Sequence, residues 1–179
     1  MSKIGCVALA LLLVGCDRAQ TFAPIEPATP INFDSYSNYE LVIGPDWNAV
    51  HFSTTAVIGQ DGGRLALGFH ELIVPAQAVQ RPTVFRMTAK PGLHVVLDLT
   101  ATDRVSGEPV TKFPRPLELR MSYRFLPLAR AQQDRLVVLW LKDDATTGEL
   151  VPVPTVVSPL QNHISGTITH FSQYAMGMN

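Results

Sequence analysis

Cysteine is nearly missing from this sequence. Cys6 and Cys16 are its two, and both lie in the first sixteen residues. The remaining chain therefore builds neither a disulfide nor a thiolate metal site. Charge is sparse as well, at 16% of residues, with a formal net charge of −1. Residues 1–15 carry one cation, Lys3, and no acid, so removing them takes −1 to −2. No basic stripe is visible, which excludes a nucleic-acid partner. The hydrolase and nucleotide signatures G-x-S-x-G, H-E-x-x-H and the glycine-rich phosphate loop do not occur. His51, His70, His94, His163 and His170 contain no i, i+2 strand pair, and His163 and His170 have opposite parity, so no metal centre is expected. Asp61-Gly62 and Asp143-Asp144 lack the dense acid spacing of a calcium loop and are expected as turn acids. Asp103 and Glu108, near Gly107 and Pro109, are expected in a solvated surface loop. A sustained helical period is also missing beyond residue 16.

What is present begins with an address. Lys3 precedes an apolar run over residues 4–14 that ends at Gly15. The run is roughly half of the ~20 residues that span a bilayer. Leu13-Val14-Gly15-Cys16 resembles the lipobox of bacterial lipoproteins. That resemblance implies a signal peptide over 1–15, cleavage before Cys16, a diacylglyceryl group on the Cys16 thiol and acylation of the new amine. Two or three acyl chains, at ~0.8 kcal/mol per buried CH₂, make a stable anchor. The protein is then expected in the bacterial cell envelope, with the membrane as its first partner. In enterobacteria-like sorting, Asp17 after the cysteine resembles an inner-membrane retention signal. Residues 16–48 are expected as an extended tether, with Pro24, Pro27 and Pro30 at every third position. Trp47, Tyr36 and Tyr39 lie within it, and they supply the aromatic platform that a carbohydrate- or small-ligand-binding reading needs.

Residues 49–179 are expected as an all-β antiparallel sandwich. Apolar residues alternate, and turn residues recur about every ten positions. Short strands are expected over 54–58, 64–67, 71–74 and 83–88, with Asp61-Gly62-Gly63 as a tight turn. Val95, Leu97 and Leu99 share one strand face. Leu117, Leu119, Met121, Tyr123 and Phe125 alternate with Glu118, Arg120, Ser122 and Arg124, giving one core face and one wet face. Residues 136–141 are apolar at every position, as in a strand covered on both sides. A polar loop over 142–148 leads to a return over 149–153, which Pro152, Pro154 and Pro159 mark as an edge or irregular. Residues 164–176 are expected as one closing strand. Ile164, Ile168, His170, Ser172, Tyr174 and Met176 share a parity, which places His170 inward and Phe171 outward or towards a second layer.

Gly62-Gly63-Arg64-Leu65, Leu72-Ile73-Val74-Pro75-Ala76-Gln77-Ala78-Val79, Phe113-Pro114-Arg115-Pro116-Leu117-Glu118-Leu119 and Thr169-His170-Phe171-Ser172-Gln173-Tyr174-Ala175 together resemble the ZU5 domain. The resemblance covers about residues 57–176. It implies a β-sandwich that serves as a protein-interaction or structural module, needs no cofactor and is not an enzyme. A minority of ZU5-related domains cut themselves at the Phe–Ser bond of a His-Phe-Ser ending. Here the Ser172 hydroxyl would attack the Phe171 carbonyl in an N→O acyl shift, with His170 taking the hydroxyl proton, and water would then hydrolyse the resulting ester. The competing expectation is a buried His170 and a packing Phe171 on an uncut chain. His51-Phe52-Ser53 repeats the triplet without the following Tyr-Ala and is read as coincidence. The sequence therefore points to a tethered envelope module that meets another envelope or surface protein through a strand edge or the loops at one end.

Overall fold

The computed structural model describes residues 39–44, 52–142 and 149–179. The expectations for Cys16, Asp17, Tyr36, Trp47, His51 and Asp143-Asp144 lie outside the described residues.

Two antiparallel sheets form an all-β sandwich. The first sheet has the order β2 (Phe52–Ile58), β5 (Thr83–Ala89), β6 (Val96–Asp103), β12 (Gln173–Met178), β8 (Leu136–Lys142) and β9 (Glu149–Pro152), with β1 (Glu40–Leu41) added against β12. The second has the order β10 (Thr155–Ser158), β11 (His163–His170), β7 (Lys112–Ser122), β4 (His70–Val74) and β3 (Gly63–Leu67). A single helical turn, α1 (Arg130–Gln133), interrupts the link from β7 to β8.

Alternation makes the core, because side chains a period of two apart share a sheet face. Leu117, Leu119 and Met121 of β7 and Ile164 and Ile168 of β11 are buried against Phe85, Met87, Leu97, Leu99, Tyr174 and Met176 from the opposite sheet. Strand β8 is covered on both sides, as its unbroken apolar run demands. Leu136 and Val138 enter the main core, whereas Leu139 and Leu141 join a smaller cluster with Leu41, Leu150 and Ala175. Burying each such Leu is worth about 2 kcal/mol.

Four differences from the sequence expectation have physical causes. Glu40 and Leu41 lie in the stretch assigned to the tether, yet they pair with Met178 and Gly177, and Tyr39 packs on the smaller cluster. Phe125 is not a core residue. β7 stops at Ser122, the Tyr123 N–H turns to the Asn162 carbonyl, and Phe125 is left 62% exposed in the following turn. Asp103 is buried rather than solvated, as described below. The closing stretch is two strands in different sheets, β11 and β12, and the chain crosses between them at Phe171-Ser172. A register shift between Ile168 and His170 prepares that crossing.

The two ends of the sandwich are closed differently. At one end Gly62, with φ 76°, turns β2 into β3, and a Cβ there would stand 2.5 Å from the Val74 carbonyl oxygen. The Gln77 N–H reaches the Gln60 carbonyl at 2.7 Å, and Ala78 and Val79 are buried. Asp103 completes this end. Its carboxylate accepts the backbone N–H groups of Val105 and Ser106, each at 2.9 Å, and pairs with the Arg81 Nε at 2.9 Å. The Ser106 N–H bond first, then that of Val105, holds the carboxyl below the usual range.

Candidate functional site

Among the described residues, the other end is open. Four segments meet there: the start of β2 at Phe52, the β3–β4 turn at Gly68-Phe69, the β5–β6 loop with His94, and the turn after β7 with Phe125. They enclose a cavity of about 230 Å³. Leu67, Ala89, Val95, Leu97 and Leu126 make its walls. Gly68 has φ 59°, a left-handed turn that carries Phe69 outward. Phe69 and Phe125 are 57% and 62% exposed, and their rings meet edge to face at 5.0 Å between centroids. The Arg124 guanidinium lies 5.5 Å from one ring centroid and 5.8 Å from the other, a cation–π contact at the rim.

Two imidazoles line this cavity and differ in their bonding. The Ser122 N–H donates to His70 Nδ1 at 3.2 Å, so this nitrogen is satisfied. Burial lowers the His70 pKa to about 4, so the ring is neutral at neutral pH. His94 Nδ1 is buried and has no hydrogen-bond partner.

The His-Phe-Ser triplet sits elsewhere, at the crossing between the sheets. The Trp140 and His170 rings meet at 4.3 Å, and the His170 Nε2 is buried without a partner. Burial lowers the His170 pKa. The Tyr174 hydroxyl donates to the His170 carbonyl at 2.8 Å. Of the two placements expected for Phe171, outward or towards a second layer, the second holds. Phe171 turns into the core, with ring centroids 4.7 Å from Phe113 and 5.6 Å from Phe85. The Ser172 hydroxyl donates to the Leu141 carbonyl at 3.4 Å, and the Ser172 carbonyl accepts the Leu99 N–H. An acyl shift draws on backbone strain, but among the described residues positive φ outside glycine occurs only at Gln77 and Asn162, and no peptide bond is cis.

The outer face of the second sheet carries a third arrangement. Arg120 bonds Glu118 at 2.7 Å and Glu71 at 3.2 Å, and Arg64 also reaches Glu71. The Arg120 hydrogen bond lowers the Glu118 pKa. These charges satisfy one another, as on a solvated ion-pair face. Among the described residues no group of three His, Cys, Asp or Glu is placed to hold a metal ion.

Sequence reasoning singled out the triplet and missed the cavity. The one local signal for the cavity was Phe69, an aromatic in a hairpin turn, where no strand face exists to bury it. Of the three tether aromatics, Tyr39 is spent on packing. No protein-family model matches this chain, and no curated protein matches it in sequence.

Proposed function

We propose that this chain is a lipid-anchored cell-envelope protein whose β-sandwich is a binding module, a protein-interaction or structural unit without catalysis of its own. The anchor rests on Leu13-Val14-Gly15-Cys16, and the ZU5 resemblance of four ordered motifs supports the interaction role. The observation that carries the reading is the open end, where Phe69 and Phe125 stand exposed beneath one guanidinium. Strand β1 begins at that same end, with Glu40 opposite Met178 and Ile43 bridged to His94. By sequence, 22 residues from Asp17 to Asn38 separate Cys16 from the first described residue, Tyr39. In an enterobacteria-like host Asp17 directs the protein to the inner membrane.

The test has two parts. Radiolabelled palmitate should enter the protein in cells, and Cys16→Ser should abolish both labelling and membrane fractionation. Wild-type protein in the soluble fraction would sink the anchor. Crosslinking in intact cells, followed by pull-down, should then capture an envelope partner that Phe69→Ser with Phe125→Ser loses.

A self-processing reading draws on one observation, the unpartnered His170 Nε2 beside a bond at the sheet crossing. The Ser172 hydroxyl is aimed at the Leu141 carbonyl instead, so the chain is expected uncut at Phe171-Ser172. Mass spectrometry should show no loss of the fragment that begins at Ser172.

A further inference from the structure

We infer that the cavity at the open end is a binding site for one fatty acyl chain, with the oxygen-bearing head of the ligand at His94. The inference rests on the reading of this end as the binding end and names what enters it.

Size is the first argument. An apolar cavity of about 150 Å³ holds benzene and stays dry. By proportion, about 230 Å³ holds roughly nine carbons, the length of a medium acyl chain or the distal part of a longer one. Lining is the second. Leu67, Ala89, Val95, Leu97 and Leu126 offer dispersion contacts and no hydrogen bonds from their side chains, so a sugar would lose its hydration without replacement.

The third argument is a polar vacancy in the lining of this cavity. Hydrogen bonds are made to nearly all buried polar atoms, yet His94 Nδ1 is buried and unpaired. The second imidazole of the cavity already accepts the Ser122 N–H. One ligand oxygen would satisfy His94. Arg124 over the Phe69 and Phe125 rings adds a cation at the rim, which complements a carboxylate or phosphate at the head of the chain. A protein partner would place a branched side chain there instead, and the titration below separates the two.

The full chain is used as Cys16→Ser, so that no acyl group of its own competes. Titration with decanoic acid, followed by calorimetry, should saturate at one ligand per chain. Ala89→Phe fills the cavity and should weaken binding at least tenfold with an unchanged circular dichroism spectrum. His94→Phe should weaken it several-fold. Without any substitution, nuclear Overhauser contacts from the terminal methyl of bound decanoate should fall on Val95 and Leu97. Absence of saturable binding, contacts elsewhere, or full binding by folded Ala89→Phe would each overturn the proposal. Vesicles of phosphatidylethanolamine and phosphatidylglycerol serve as competitor. Displacement of decanoate assigns the chain to a bilayer lipid, and no displacement assigns it to a free acid; both outcomes require the same site. Fractionation of wild-type protein tests the anchor separately, so either reading can fail alone.

Discussion

The two ends of the sandwich use the same residue types to opposite effect. At the closed end Phe85, Phe113 and Phe171 pack together between the sheets. At the open end Phe69 and Phe125 meet edge to face in front of a cavity. At the closed end Asp103 takes two backbone N–H groups and Arg81, and the Arg115 side chain donates to Gln77, while His170 Nε2 is buried without a partner. The open end leaves His94 Nδ1 without one. The ends therefore differ in apolar packing: one is filled by three aromatic rings, and the other holds a cavity behind two exposed ones. Loops at the ends of a scaffold commonly carry function, and this difference is why the proposed binding site is placed at the open end.

Two glycines give the sharpest way to break this contrast, because both hold left-handed φ at opposite ends. Gly62→Ala adds αL strain and drives a Cβ into the backbone at Val74 and Ala76. It should cost roughly 3–5 kcal/mol in urea unfolding. Gly68→Ala meets nothing within 4 Å and should cost about 1 kcal/mol. Equal costs would refute the distinction between a packed and an open end.

Acid tests the open end next. The His70 pKa is lowered to about 4 in the folded state, against ~6.5 unfolded. As pH falls below 6.5 the unfolded chain takes up this proton first. The stability linked to neutral His70 is complete above pH 6.5 and is lost progressively towards pH 4, by at most about 3 kcal/mol. His70→Asn keeps an acceptor for the Ser122 N–H and removes the titration. Its unfolding free energy should therefore fall less steeply between pH 6.5 and 4 than that of the wild type. An unchanged slope would show that His70 is not buried as described.

The smallest stability effect belongs to the rim. Phe69→Ser with Phe125→Ser should shift unfolding by about 0.5 kcal/mol or less per site, as exposed substitutions do, while it abolishes capture of a partner. A large loss of stability would make the two rings structural.

The strands were legible where one face is wet and the other buried. Glu118, Arg120 and Ser122 between Leu117, Leu119 and Met121 announce β7 without ambiguity. The run over 136–141 correctly foretold a strand with two covered faces. The crossing at Phe171-Ser172 was hidden because parity runs through it. Ile168, His170, Ser172 and Tyr174 keep a period of two although the chain changes sheets, and the register shift at Thr169 has no residue signature. β10 escaped because four residues between Pro154 and Pro159 resemble a loop. Strand β1 has only two residues, too few for any period. Asp103 was misplaced because its loop neighbours are polar, whereas its hydrogen bonds come from backbone groups that no side-chain pattern encodes. The cavity draws on residues from Phe52 to Leu126, so only the fold assembles it.

The insertion of β12 between β6 and β8 carries a consequence for folding kinetics. β2, β5 and β6 lie on one side of the first sheet, and β8 and β9 lie on the other. Each side can pair within itself, but β12 alone joins them, and its register to β6 matches Tyr174 with Leu97. That contact closes a loop of more than seventy residues, a slow event compared with hairpin formation. Until it forms, the two halves of the first sheet lack the strand that hydrogen-bonds to both.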